Sequence, residues 1–184
     1  MPQFILNAPP SPQEIRTAVA NYGAKPRKPH SFYDLNEFAR GYVEAMFFTN
    51  GDTGDERENL LNDWGVERLT RAAVAAIKAD CEAFERDAAD LLALAYATGD
   101  YEPEQAGRDF WFTRQGHGVG FWEREALNDN KALWREMGSP RVDEPGWKEY
   151  EAAKSETLGE RLSEVARKAG ESYVEAYRGW IYVR

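Results

Sequence analysis

The chain has 184 residues, enough for one domain with a true core, and its balance is acidic, with a net charge of −9 and a pI near 4.9. That charge argues against general binding to nucleic-acid backbones, which needs clustered Lys and Arg, and fits solubility, a basic partner or imitation of a polyanion. Charged residues make up 30% and aromatics 13%, so the expected core is aromatic-heavy beneath a charged surface.

One cysteine, Cys81, excludes an intramolecular disulfide and is compatible with a reducing cytoplasm. The opening MPQFILNAPP lacks the basic start and apolar run of a secretory leader, and no stretch is long and apolar enough to span a bilayer. The expectation is a soluble cytoplasmic protein.

In chain order, residues 1–30 read as an arm followed by a short helix. Ser11 caps it, Pro12 opens it, Glu14 completes a capping box and Gly23 stops it. A basic, proline-bearing linker, AKPRKPH, leads to the main domain, 31–184. Ser31 to Thr49 reads as a helix, with Phe32, Leu35, Phe38, Ala39, Tyr42, Val43, Met46 and Phe47 at helical spacing and facing the core. Residues 50–63 form an acidic loop. Asp52 and Asp55 invite a calcium reading, but the alternating oxygen donors, sixth-position glycine and closing Glu of an EF-hand are missing.

Val66 to Ala97 reads as one long helix, its stripe running through Leu69, Ala73, Ile77, Cys81, Phe84, Ala88, Leu91 and Ala95. Cys81 on that stripe is read as a small buried hydrophobe. The charged side includes Asp80, Glu82, Glu85, Asp87 and Asp90, the best candidates for an acidic face imitating DNA, although Lys78 and Arg86 interrupt them.

The densest stretch is Asp109 to Arg124, DFWFTRQGHGVGFWER. Its Phe, Trp and Thr content and central glycines read as a β-hairpin. A two-residue turn at Gly116-His117 would set Asp109 against Arg124, while a three-residue loop, Gly116 to Gly118, would shift the register. Residues 125–154, rich in Gly, Pro and Asn, read as a surface insertion. Residues 155–169 read as an amphipathic helix capped by Ser155 and ended by Gly170, and SYVEAYRGWIYVR as a second hairpin around Arg178-Gly179. The expected fold is α+β: a small antiparallel sheet of two β-hairpins packed against a long helix and several shorter ones.

Phosphate-loop and dinucleotide fingerprints are missing, and two histidines and one cysteine far apart make no recognisable zinc site. No metal, cofactor or catalytic set is therefore assigned. The polar set of the first hairpin, Asp109, Thr113, Arg114, His117, Glu123 and Arg124, together with Trp122, is the candidate binding site. A histidine titrating near neutrality beside an arginine able to hold a carboxylate or phosphate is chemically usable. The competing reading is an Asp109–Arg124 pair with His117 as a turn residue.

The segments GYVEAMFFTNGDTGD, ADCEAFERDAADLL and AGRDFWFTRQGHGVGFWER, followed by a helix and a Tyr-rich hairpin, resemble a family of small proteins common in tailed bacteriophage genomes. Members of that family read like AGHDFWLTRNGHGAGFWDRG, then a short helix and a strand pair such as YVGDDGKIYV. The likeness covers roughly residues 38–184, and the matching motif positions are Asp109, Thr113, Arg114, His117, Gly118, Gly120, Trp122 and Glu123. Arg108 stands where the family has His and Glu123 where it has Asp, which argues against a two-histidine arrangement. The insertion and AYRGWIYVR also depart from the short members. The resemblance implies a phage setting and no particular reaction.

Three functions follow as expectations. The first is a non-enzymatic phage or prophage accessory protein that binds a host protein, for instance to inhibit a defence or nucleic-acid-processing enzyme. The second is a small-molecule or nucleotide binder, or a small enzyme, using His117. The third is a structural or assembly protein that forms homo-oligomers.

Overall fold

A computed structural model describes residues 31–50, 65–128, 142, 144–148 and 156–184. The expected N-terminal arm and helix, the acidic loop beyond Asn50 and most of the 125–154 insertion lie outside the described residues. Within them the chain builds helices α1 (Glu37–Asn50), α2 (Arg71–Asp87), α3 (Ala89–Tyr96), α4 (Pro103–Arg114) and α5 (Leu158–Lys168), with strands β1 (Val174–Tyr177) and β2 (Trp180–Val183). The described residues are mostly helical, with one two-stranded antiparallel sheet.

The expected first hairpin is a helix. Pro103 occupies its first turn, behind Glu102, where the missing N–H costs nothing. From Ala106 to Arg114 every residue except Arg108 is buried. Such a central helix has no polar face, so its 3.6-residue period is invisible, and a run of Phe, Trp and Thr imitates a strand. Gly116 does take a positive φ, 68°, but to end α4. Gly116 N–H donates to Thr113 O at 3.2 Å and His117 N–H to Phe112 O at 3.0 Å, the paired bonds of a Schellman cap. Phe121 to Glu123 then form a short 3-10 turn.

The expected long helix is divided. Val66–Arg68 is a 3-10 turn and Leu69 bridges to Ile181. Thr70 starts α2 by accepting from Ala73 N–H. A bend at Ala88, with φ −109° and ψ 14°, separates α2 from α3 and turns Leu92 and Ala95 inward, where α3 packs on α5. The helices expected over 31–49 and 155–169 are present with shorter bounds, and the second hairpin is present. The helix expected from Ser31 to Thr49 is a 3-10 turn over Ser31–Asp34 followed by α1, whose first turn Asn36 caps by accepting from Ala39 N–H. Thr157 and Glu160 make the capping box of α5. The second hairpin turns at Arg178 (φ 49°) and Gly179 (φ 82°), pairing Tyr177 with Trp180 and Val174 with Val183; two positive φ values suit the right-handed twist of the strands.

α1 and α4 run parallel and touch closely, because Gly41 and Gly107 carry no Cβ. A Cβ at Gly41 would strike Glu104 O, and one at Gly107 would strike Phe38 O. Between α1, α2 and α4 lies an aromatic column. Phe84 stacks on Phe110 at 4.2 Å between centroids, and on Phe38 and Phe121 at 5.7 Å. All eight apolar residues expected to face inward from 31–49 are buried. The sheet lies on α2 through Ile181, whose O accepts from Thr70 N–H.

Candidate functional site

The polar residues of the 109–124 motif divide into two buried networks and one exposed loop. Asp109, fully buried, sits on the inner face of α4. Its carboxylate accepts from Tyr101 Oη at 2.8 Å, Gln105 Nε2 at 3.0 Å and Arg124 Nε at 2.8 and 2.9 Å, and Arg124 Nη2 adds a fourth donor. Those donors occupy the carboxylate, so it is committed to structure. The hydrogen bond from Arg124 to Asp109 holds the guanidinium pKa above its ordinary value. Asp109 and Arg124 are thus paired as the simpler sequence reading supposed, from a helix and a following turn instead of two strands.

Arg114 forms the second network. Its side chain is 4% exposed and donates to Asp80 Oδ2 at 2.7 Å, Tyr42 Oη at 2.9 Å, Gly170 O at 2.7 Å and Ala169 O at 3.3 Å. One guanidinium therefore satisfies the carbonyls beyond α5 and ties α1, α2 and α4 together. Its planar group lies 5.3 Å from the Phe110 ring centroid, and none of its charge is presented to a ligand. Thr113 Oγ1 accepts from Phe121 N–H at 3.4 Å, and the space beside it at Gly120 would not admit a Cβ.

His117 lies apart from these groups. Its ring meets Phe112 edge-on at 5.9 Å, the apolar contact that accompanies a Schellman cap. Neither ring nitrogen has a hydrogen-bond partner among the described residues. Around it Val119 and Phe48 are 42% and 49% exposed, and Phe48 meets the Phe112 ring edge-on from α1. Trp122 is half-buried with Arg167 over its ring, and Glu123 is exposed. The structure therefore separates the seven candidates. Asp109, Thr113 and Arg114 are buried, Arg124 is half-buried against Asp109, His117 and Trp122 are half-buried, and Glu123 is exposed.

The acidic candidates are mostly engaged too. Asp80 holds Arg114, Glu82 faces Lys78 at 3.5 Å, Glu85 accepts from Asn36 Nδ2 at 2.9 Å, and Asp87 pairs with Arg86 at 3.0 Å. Asp90 is exposed on α3.

Phe48 escaped the sequence reading, and Gly118 stood there only as one motif position among eight. Gly118 has open space where a Cβ would go and an unexceptional φ. Gly116, two residues earlier, has its left-handed φ as a reason, and Gly120 has its crowding. Gly118 has neither, a distinction that only coordinates reveal.

Among the described residues no group of three or more His, Cys, Asp or Glu side chains is placed to hold a metal ion, and no helix is long and apolar enough to cross a membrane. No protein-family model, curated protein or solved structure matches the chain.

Proposed function

We propose that this is a non-enzymatic accessory protein of phage or prophage origin that binds a host protein in the bacterial cytoplasm, using the loop after α4. The phage setting rests on the motif resemblance. The binding surface rests on one observation: Gly118 is a glycine that its own fold does not require, set between exposed Val119 and His117, whose ring nitrogens have no hydrogen-bond partner among the described residues. A residue without a side chain there lets another backbone approach closely. The adjoining Phe48 supplies apolar area, the kind of anchor that protein interfaces bury. The buried carboxylate and guanidinium hold the loop in place from behind, through α4. Inhibition of a defence or nucleic-acid-processing enzyme is the expected consequence of binding. Acidic imitation of DNA is the less favoured route, because four of the five acids on that face already serve the chain itself.

The test compares wild type, His117→Ala and Gly118→Val as baits in bacterial lysate. Both variants should keep the wild-type unfolding curve, since neither side chain is needed internally. A single stoichiometric host protein should be retained by wild type and lost by Gly118→Val. Equal retention by both variants removes the loop from the interface. An empty capture by folded bait rejects the host-protein reading, and ligand screening by thermal shift then examines a small molecule at His117.

A further inference from the structure

The two edges of the small sheet are treated differently. β2 is covered on its outer side, where Ile181 O accepts from Thr70 N–H at 3.0 Å and Leu69 bridges to Ile181. β1 is the other edge. Tyr173 and Arg184 exchange both backbone bonds, at 2.9 and 3.0 Å. The alternation of an antiparallel ladder then turns the N–H and C=O groups of Val174 and Ala176 away from β2. These groups have no hydrogen-bond partner among the described residues.

Natural edges are commonly blunted by Lys, Pro, a bulge or a covering element. Shortness and charge also blunt edges, and β1 has four residues and one carboxylate, Glu175. Among the described residues it has no Lys, Pro, bulge or covering element, and Tyr173 and Tyr177 beside it are 70% and 51% exposed. Tyr173, Glu175 and Tyr177 alternate onto one face. That row has a cation-seeking chemistry: a carboxylate between two aromatic rings. It already draws the chain's own arginines loosely, Arg184 to Glu175 at 3.5 Å and Arg178 over Tyr177 at 5.2 Å. The Arg184–Glu175 pair is solvent-exposed and of the kind that yields to a competitor.

We propose that β1 receives an extended basic segment of another protein by strand addition, with a Lys or Arg opposite Glu175. A strand hydrogen-bonded to Val174 and Ala176 would place its residue opposite Glu175 in a non-hydrogen-bonded pair, where side chains stand closest. A cation there meets the carboxylate and the flanking rings together. A second copy fits poorly. The register that uses both Val174 and Ala176 on each copy sets Glu175 against Glu175, and joins two chains that each carry a net charge of −9. This surface is independent of the loop after α4, so either reading can fail alone.

The experiment titrates the full chain into fluorescein-labelled short peptides that alternate Thr and Val around a central Lys or a central Glu, and reads anisotropy. The Lys peptide should bind roughly tenfold more tightly than the Glu peptide, and Glu175→Lys should reverse the order. Methylating the peptide's alternate backbone nitrogens that face β1 should abolish binding. Ala176→Pro removes only an outward N–H, a substitution that an edge strand tolerates; it should keep the wild-type near-ultraviolet circular dichroism and lose the peptide. Binding unchanged by the Pro substitution or by N-methylation overturns the proposal. So does the absence of saturable binding to either peptide, or a concentration-dependent dimer of this chain that Ala176→Pro dissolves.

Discussion

Asp109 is a carboxylate without solvent, and its stability depends wholly on the donors around it. Removing Arg124 leaves a buried charge facing a phenol and an amide, so Arg124→Ala should cost about 3–5 kcal/mol. His117→Ala deletes one edge-on ring contact and no hydrogen bond of its side chain, and should stay within roughly 0.5 kcal/mol of wild type. Urea unfolding of the two variants separates a structural residue from a presented one. Equal losses would mean that His117 is part of the scaffold. The motif's polar residues were visible in the sequence, and so was the Asp109–Arg124 partnership. What sequence could not show is that Arg114 and Asp80, assigned to two different surfaces, would meet each other across 34 positions. Composition marks which residues can carry charge, but only packing decides which of them are used up inside.

Among the described residues α1 and α4 approach closely backbone to backbone, and two glycines make it possible. Gly107→Ala gains roughly 1 kcal/mol of helix propensity, but its Cβ would collide with Phe38 O, a backbone atom that cannot swing aside. Overpacking should win by about 2–3 kcal/mol, lowering the urea midpoint. Gly118→Ala, in open space, should leave that midpoint unchanged. A neutral Gly107→Ala would show that the helices can separate cheaply. The same joint explains which elements were legible. α5 has a wet face, so its period and cap can be read to within a few residues; α1 is buried from Phe38 to Phe47 except at Arg40, and it is legible by its length, which exceeds that of a strand. The second hairpin has an Arg-Gly turn between alternating residues, and it stands as expected. α4 is wrapped on nearly every side, and its apolar run carries no period to read. The continuous stripe from Val66 to Ala95 was real in its burial, with only Leu91 half-exposed. Yet a shared apolar side does not reveal a bend at Ala88, because residues on both sides of the bend still face the same core.

That core places ionisable groups where charge is expensive, and the consequence belongs to the molecule as a whole. Burial pushes the Tyr42 phenol above its ordinary 10.0, although Arg114 beside it pulls the other way. Burial likewise raises Tyr96, with Glu85 adding to it, and raises Tyr101, where the Asp109 carboxylate opposes a second negative charge. The Cys81 thiol is raised above its ordinary 9.0 by burial, then by Glu85 and Asp80. In the unfolded chain each group gives up its proton near its ordinary value, while the folded chain still holds it. The unfolded state therefore binds fewer protons at alkaline pH, and stability must fall as pH rises. The stabilisation is complete below the thiol's 9.0, begins to decline there, and declines more steeply past the tyrosines' 10.0. Urea unfolding followed across this range should show a level midpoint below the thiol value and a progressive loss above it. Tyrosinate absorbance of the unfolding chain should exceed that of the folded chain at the same pH. Cys81→Ala should delay the onset by the interval between the two ordinary values. If stability instead stayed level through both values, these side chains would have to ionise as readily in the folded protein as in water, and the buried column between α1, α2 and α4 would have to be open to solvent.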